Sequence, residues 1–339
     1  MANSILASII SMGGLGLVLG GGLALASKKL TVKTDPRVDA IIEALPGANC
    51  GACGYPGCSG LARSIVENKA PLNTCPVGGA EAAAKIAKIM GVTEIDNDVD
   101  KKIARVLCQG GKTEAKLKSD YRGVKSCRGA SLVNGGPKSC PFACIGFGDC
   151  IKVCPGGGIT MGNNGLPVID EEKCVGCGLC VKECPKSVIA LTSIKNEVHV
   201  RCRSTLKGKD TRNVCSIGCI GCGRCEKACP FDAIHVKDNV AVIDYDKCRN
   251  CMKCVESCPT KCITSAFPQR KKAQIDKDKC IGCTICAKKC PVNAITGKLK
   301  EPHQVNDEIC IGCGICEEKC PKDAIQLVRP DNKPSTAAS

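Results

Sequence analysis

CVGCGLCVKECPKSVI, residues 174–189, places Cys174, Cys177, Cys180 and Cys184 at C-x2-C-x2-C-x3-C spacing and follows the last of them with Pro185 and, five residues on, Ile189. The C-P-x-x-x-I ending recurs six times, at Cys154, Cys184, Cys229, Cys258, Cys290 and Cys320, with steps of 30, 45, 29, 32 and 30 residues. Such periodic self-similarity marks a repeat architecture. Five of the six carry the full run: Cys174, Cys177, Cys180 and Cys184; Cys219, Cys222, Cys225 and Cys229; Cys248, Cys251, Cys254 and Cys258; Cys280, Cys283, Cys286 and Cys290; Cys310, Cys313, Cys316 and Cys320. A zinc ribbon brings two cysteine pairs to one ion. Repeated four-cysteine runs with a terminal Pro are instead the ligand pattern of 4Fe-4S clusters. The first copy departs from it, reading Cys140-x3-Cys144-x5-Cys150-x3-Cys154, with Gly146 and Gly148 letting the longer loop fold back. Its Cys154-Pro155 and its 30-residue step to Cys184 are intact, so it is expected to hold a 4Fe-4S site too.

Upstream, Asp35-Pro36 opens an expected helix whose apolar residues Val38, Ile41, Ile42 and Leu45 repeat at helical spacing and which Pro46-Gly47 stops. A glycine-rich loop with Cys50, Cys53 and Cys58 follows, and Cys75 returns 16 intervening residues later. Three sulfurs on such a loop can wrap three irons of a cubane, because glycine lets the backbone turn toward the inorganic core. These four cysteines bring the expected count to seven clusters on 28 ligands, the metal in each case being iron. Five cysteines remain: Cys108, Cys127, Cys202, Cys215 and Cys262. Cys262 stands where the other copies carry Gly158, Val188, Ala233, Ala294 and Ala324, and reads as a small core residue. Cys108, Cys127 and Cys202 read as buried structural thiols. Cys215, four residues before Cys219, competes for the same iron, and the regular spacing of Cys219 to Cys222 favours Cys219.

Composition agrees with metal as the organising element. The chain has Cys 33 but only Phe 4, Tyr 3 and Trp 0, so no large aromatic core is available, and bound metal has to supply folding free energy. An odd cysteine count, mostly in C-x-x-C runs and in a chain this long, argues against a disulfide framework. The formal charge of +15 counts every thiol as neutral. Each cubane with four thiolates contributes roughly −2, so seven clusters bring the total to about +1 and remove the case for nucleic-acid binding. Local basic groups remain at Arg270, Lys271 and Lys272 and at Lys277, Lys279, Lys288 and Lys289. His199, His235 and His303 stand isolated and read as structural or surface residues. There is no G-x-G-x-x-G after a strand and no Walker loop, hence no visible nucleotide site and no catalytic acid, base or nucleophile.

Residues 5–26 contain no charge and are long enough to cross the hydrocarbon core as a helix. Lys28 and Lys29 follow at once, which predicts a single-pass anchor with the N-terminus outside and the cluster domains in the cytoplasm. Ala24-Leu25-Ala26 resembles a signal-peptidase site, but no basic region precedes the apolar stretch. Gly16, Gly20 and Ala24 share one helix face, where small residues let a second helix approach.

The six runs closely resemble bacterial two-cluster ferredoxins. In that family the fourth Cys of each run ligates the other run's cluster. The resemblance therefore implies three modules, in which Cys154 and Cys184, Cys229 and Cys258, and Cys290 and Cys320 trade places between two cubanes. Each run is expected to pass from loop to short helix, flanked by strands such as residues 166–169 and Val240–Ile243. Residues 35–87 resemble the small 4Fe-4S domain of electron-transfer subunits and corrinoid iron-sulfur proteins. The whole order, membrane helix, Cys50 domain and ferredoxin modules beginning with the irregular Cys140 run, resembles the B subunit of the Rnf complex, whose members often carry a single ferredoxin module where this chain has three. That resemblance implies an electron-transfer subunit of the bacterial cytoplasmic membrane, soluble ferredoxin as donor, and partner subunits that supply flavins, the nicotinamide site and sodium or proton export. The expected fold class is α+β and multidomain: anchor 1–27, a mainly helical 4Fe-4S domain 28–90, a linking region with short strands 91–137, modules at 138–194, 214–267 and 268–329 with a linker at 195–213, and a disordered tail 330–339.

Overall fold

The structure, a computed structural model, describes residues 2–29, 35–92 and 101–329. The expected tail over 330–339 lies outside the described residues. The chain divides into two compact units, Met1–Ile95 and Asp96–Ser339.

The first unit is helical. α1 spans Ala2–Lys29, and its described side chains, from Met12 to Ala26, leave Leu17, Val18, Leu23 and Leu25 each more than two-thirds exposed. That described stretch falls short of the about 20 apolar residues a hydrocarbon core takes. Among the described residues no helix is long and apolar enough to cross a membrane, so the crossing expected over residues 5–26 is not shown. α2 (Pro36–Ala44) begins where expected, with Pro36 in its first turn and the Asp35 carboxylate accepting from the Arg37 N–H at 2.9 Å. Its stripe of Val38, Ile41 and Leu45 meets Leu61 and Ile65 of α3 (Gly57–Val66) and Ile86 of α4 (Gly79–Met90) in one core. Each fully buried Leu or Ile here contributes roughly 1.5–3 kcal/mol, which gives this unit a conventional apolar centre of its own.

The second unit repeats one plan three times. β1 (Lys102–Val106) precedes α5 (Cys127–Leu132), α6 (Asp149–Lys152), β2 (Ile159–Met161), β3 (Pro167–Ile169), α7 (Leu179–Glu183) and β4 (Ile189–Ser193). The second module runs β5 (Val198–Val200), α8 (Gly208–Val214), α9 (Arg224–Ala228), β6 (Ile234–Lys237), β7 (Val240–Ile243), α10 (Lys253–Ser257) and β8 (Ile263–Ser265). The third runs β9 (Lys272–Ile275), α11 (Ile285–Lys289), β10 (Ile295–Thr296), β11 (Gln304–Val305), α12 (Ile315–Glu318) and β12 (Ile325–Val328). In each module the middle strands form an antiparallel hairpin, β2 with β3, β6 with β7 and β10 with β11, and the outermost strands pair, β1 with β4, β5 with β8 and β9 with β12.

That outer pairing widens the modules beyond their expected boundaries. Residues 102–106, assigned from sequence to a linking region, pair with the last strand of the first module from Lys102↔Ser193 to Val106↔Ile189. Residues 198–200, assigned to a linker, pair with the last strand of the second. A last strand alone leaves a row of unpaired backbone groups, and the chain just upstream satisfies them. The modules are also tied in series. Arg201 Nε donates to the Val106 carbonyl at 3.1 Å, and Gln109 Nε2 to that of Lys261 at 3.2 Å. Between the second and third modules, Glu197 pairs with Lys271 at 3.1 Å and with buried Arg329 at 2.7 Å, whose guanidinium lies over the Phe267 ring.

Candidate metal centres

Each run turns into its helix through left-handed backbone, and the strand packed behind the loop decides which residue can stand there. A Cβ on Gly176 (φ +67°) would collide with the Lys102 carbonyl, and one on Gly312 (φ +64°) with that of Lys271. Glycine is required by the approach as well as by φ. The second module solves the same turn with Asn250 (φ 51°), whose amide donates to the Lys195 carbonyl at 2.9 Å while its oxygen accepts from the Glu197 N–H at 3.1 Å. After the turn come helices of four or five residues, and the fourth cysteine with its Pro ends each one.

These loops gather cysteines from different runs around shared cavities of about 20 Å³. One is lined by Cys154 with Cys174, Cys177 and Cys180. In the third module, Cys290 joins Cys310, Cys313 and Cys316, and Cys320 joins Cys280, Cys283 and Cys286. In the second, Cys229 lies within electrostatic reach of Cys248, Cys251 and Cys254, and Cys258 within reach of Cys219, which is grouped with Cys222 and Cys225. The exchange of fourth cysteines is thus present in all three modules. In the first unit Cys75 sits near Cys53 and Cys58, and the Asn49 side chain holds the loop by accepting from the Cys58 N–H at 2.8 Å.

The donors suit cubanes. Backbone N–H groups point at sulfurs: Ala104 at Cys174 (3.4 Å), Ala233 at Cys229 (3.4 Å), Ala294 at Cys290 (3.2 Å), Ala324 at Cys320 (3.3 Å) and Gly78 at Cys75 (3.3 Å). An array of N–H donors around thiolates is what stabilises an anionic iron-sulfur centre. All 33 cysteines are free of disulfides. Among the described residues no group of three or more His, Cys, Asp or Glu could hold a single metal ion. One ion needs donors converging on a point, whereas a cubane needs them around a cavity. Burial pushes the Cys144, Cys180, Cys254 and Cys316 thiols up to about 12, and neighbouring thiols push in the same direction. Ligation therefore has to displace protons.

The first run departs from expectation in which cysteines line its cavity. The cavity that Cys144, Cys150 and Cys184 line is completed by Cys127, not by Cys140. Cys127 opens α5, and two contacts hold it there: Ser126 Oγ accepts from the Gly129 N–H at 3.1 Å, and Asp149, beside Cys150, accepts from Ser126 Oγ and from the Arg128 N–H, each at 3.1 Å. Burial raises the Asp149 carboxyl, but those hydrogen bonds and Lys152 hold it below its ordinary value, so it stays an acceptor. Cys140 turns the other way, toward Cys108 and Ser204. Cys108 is the hub of a further group. It lies within electrostatic reach of Cys140, Cys202 and Cys215, its sulfur accepts from the Cys144 N–H at 3.4 Å, and it flanks Gly110 together with Cys215. Three thiols that looked unrelated in sequence thus lie within electrostatic reach of Cys108 where the first module joins the second. The irregular x3 and x5 spacing after Cys140 was the available signal that this cysteine is placed differently from its counterparts in the other runs.

The histidines divide. His235 sits between Glu226 (3.0 Å) and the Asp232 carbonyl (3.2 Å) at the surface. His199 is buried against Tyr245 Oη at 2.8 Å, and burial lowers it to about 4. His303, 1 % exposed, lines the cavity of Cys280, Cys283, Cys286 and Cys320, a placement its isolation in sequence did not suggest. The basic residues Arg270 to Lys272 have partners within the chain. Arg270 pairs with Glu256, Lys271 with Glu197, and Lys272 donates to the Asp307 and Cys310 carbonyls. Lys279 faces Asp276 at 3.8 Å. Lys277, Lys288 and Lys289 are exposed, the last two ending α11, the helix that carries Cys286.

Comparison with known proteins bears on the same residues. A family model for an Fe-S cluster matches residues 45–77. Models described as "4Fe-4S dicluster domain" match residues 143–188, 166–230, 213–259, 247–294 and 273–327. The chain is 50% identical over 264 residues to the B subunit of the Na(+)-translocating ferredoxin:NAD(+) oxidoreductase complex of Acetobacterium woodii, covering 78% of this chain and 79% of that protein. It is 41% identical to the B subunit of the ion-translocating oxidoreductase complex of Methanosarcina acetivorans, over 78% of this chain and 99% of the relative. It is 43% identical to the B subunit of the proton-translocating ferredoxin:NAD(+) oxidoreductase complex of Clostridium ljungdahlii, over 77% and 92%.

Proposed function

Since this chain belongs to the B-subunit family of the Rnf complexes, the ion-translocating ferredoxin:NAD+ oxidoreductases, we propose that it conducts electrons from reduced ferredoxin to the membrane subunits of such a complex through eight 4Fe-4S sites. The observation that carries this reading is the gathering of cysteines from different runs around shared cavities in the modules, to which the nearness of Cys108 to Cys140, Cys202 and Cys215 adds a further candidate set. Bound cubanes supply one-electron transfer without bond rearrangement. The residues hold them, exclude water with Ile, Val and Ala, and direct N–H groups at sulfur. Purification from native membranes with iron, sulfide and flavin analysis tests the assignment. Co-purifying multi-span flavoproteins are expected; a chain that emerges alone with full iron would make it a tethered polyferredoxin instead.

The charge-free residues 5–26, followed by Lys28 and Lys29, support α1 as a single-pass anchor with the cluster domains in the cytoplasm. Deleting residues 2–29 is expected to shift the chain from washed membranes to the soluble fraction with its iron intact; full retention on the membrane would place the anchoring elsewhere. Ferredoxins are acidic, and exposed Lys277, Lys288 and Lys289 flank exposed Ile281 and Ile285 in the sequence of the Cys280 run. Electrons then enter at the third module and leave through the Cys50 domain. Replacing the three lysines with Glu is expected to slow reduction by ferredoxin roughly tenfold at low salt, with the difference fading at high salt as screening sets in. Unchanged, salt-insensitive rates in stopped-flow absorbance would move the docking surface to another module.

A further inference from the structure

Grouping the cysteines in fours accounts for 32 of the 33 and leaves Cys262. Its side chain is 1 % exposed, and its Sγ lies 3.6 Å from Cys258 Sγ. Cys219 lies within electrostatic reach of the same thiol. Those two cysteines come from different runs but belong to one site, that of Cys219, Cys222, Cys225 and Cys258. The thiol has a single proton, and donated to Cys258 Sγ it falls on a ligand sulfur of that site.

Comparison within the chain isolates what is unusual here. Cys262 stands four residues after the last cysteine of its run, where the other five runs have Gly158, Val188, Ala233, Ala294 and Ala324. In three of these the residue gives the ligand sulfur one donor, its backbone N–H, at 3.2–3.4 Å. None of those side chains can give a second. Cys262 offers the thiol as well. A hydrogen bond to a ligand sulfur withdraws negative charge, and the reduced state carries the more negative charge, so the bond favours reduction.

Resting on the cubane assignment above, we propose that Cys262 is a positioning and tuning residue that donates its S–H into the Cys219–Cys222–Cys225–Cys258 site and holds that site's reduction potential above what its loops alone would set. The site then serves as a step on which an electron dwells within the series. Cys262 is not a fifth ligand, since four thiolates already complete the site.

The test uses the full chain, loaded and kept from oxygen, as wild type, Cys262→Ala and Cys262→Ser. Iron is counted, and the reduced fraction is followed by electron paramagnetic resonance in a dithionite titration at fixed pH. In Cys262→Ala the iron count is expected to hold, while one site's reduced-to-oxidised ratio at a given potential falls about three- to tenfold, tenfold being 59 mV for one electron. Cys262→Ser, which keeps a donor, is expected to recover most of the shift. A titration unchanged or shifted upward in Cys262→Ala overturns the proposal. So does a loss of about four irons, which would make Cys262 a ligand or a structural support. Failure of the cubane assignment itself would show separately, as wild-type chain without cluster iron or a cluster signal.

Discussion

A fully loaded chain is expected to hold about 32 iron atoms, four in each of eight sites, where the patterned runs and the Cys50 loop alone would give about 28. The extra site is read from Cys108, Cys140, Cys202 and Cys215, and single substitutions make the assignment decisive. Cys215→Ala and Cys140→Ala should each remove about four irons, and the double variant should remove no more than either alone, because both act on one site. Cys127→Ala should also remove about four, but from the cavity of Cys144, Cys150 and Cys184, so that combining it with Cys140→Ala costs about eight. The sequence-based ligand set makes the opposite forecast for two of these. With Cys140 as a ligand of the first run and Cys127 and Cys215 as bystanders, neither Cys127→Ala nor Cys215→Ala would change the count. Iron and sulfide analysis of the three single and two double variants separates the two arrangements, and unchanged iron in Cys127→Ala would restore Cys140 to the first run.

The contrast shows what kind of information the sequence held. Runs such as Cys174 to Cys184 were legible because their ligands are local: three sulfurs on one loop, one at the end of its helix, the same in five copies. The exchange of Cys154 with Cys184 and its counterparts came from the family resemblance alone; the cavities place Cys154 with Cys174, Cys177 and Cys180, and Cys320 with Cys280, Cys283 and Cys286. The site at the module junction was not legible, because its four cysteines come from four segments without a shared spacing. Residues 91–137 read as a linking region with short strands since the partner strand of residues 102–106, Ile189–Ser193, lies beyond most of a module. Cys127 was missed for a related reason: what brings it to Cys150 is the Ser126–Asp149 contact, a tertiary feature with no local signature. The basic surface was overcounted because charge is visible in sequence and its internal partners, Glu256 for Arg270 and Glu197 for Lys271, are not.

Stripping iron from the chain is expected to unfold the second unit almost completely while the first keeps part of its helix. The modules have helices of four to seven residues and strand pairs of two to five, lengths at which neither element stands alone in water. Their interiors are cysteine sulfur faced with Ile, Val and Ala, so what closes each module is ligation, and its binding free energy is folding free energy. The first unit differs, because Ile41, Leu61, Ile65 and Ile86 meet whether or not Cys50 to Cys75 hold a cluster. The pH dependence of the two forms should run in opposite directions. Without iron, burial raises Cys144, Cys180, Cys254 and Cys316 from 9.0 to about 12, so whatever fold remains binds protons more tightly than the unfolded chain. That contribution is complete below about pH 9 and fades as pH rises toward 12. With iron the same sulfurs are bound as thiolates, the proton affinity of the folded state drops below that of the unfolded chain, and stability is lost as pH falls. Circular dichroism and limited proteolysis of loaded and chelated chain across pH measure both limbs. A chelated chain as protease-resistant as the loaded one over residues 101–329 would mean that the modules have a core that stands without iron.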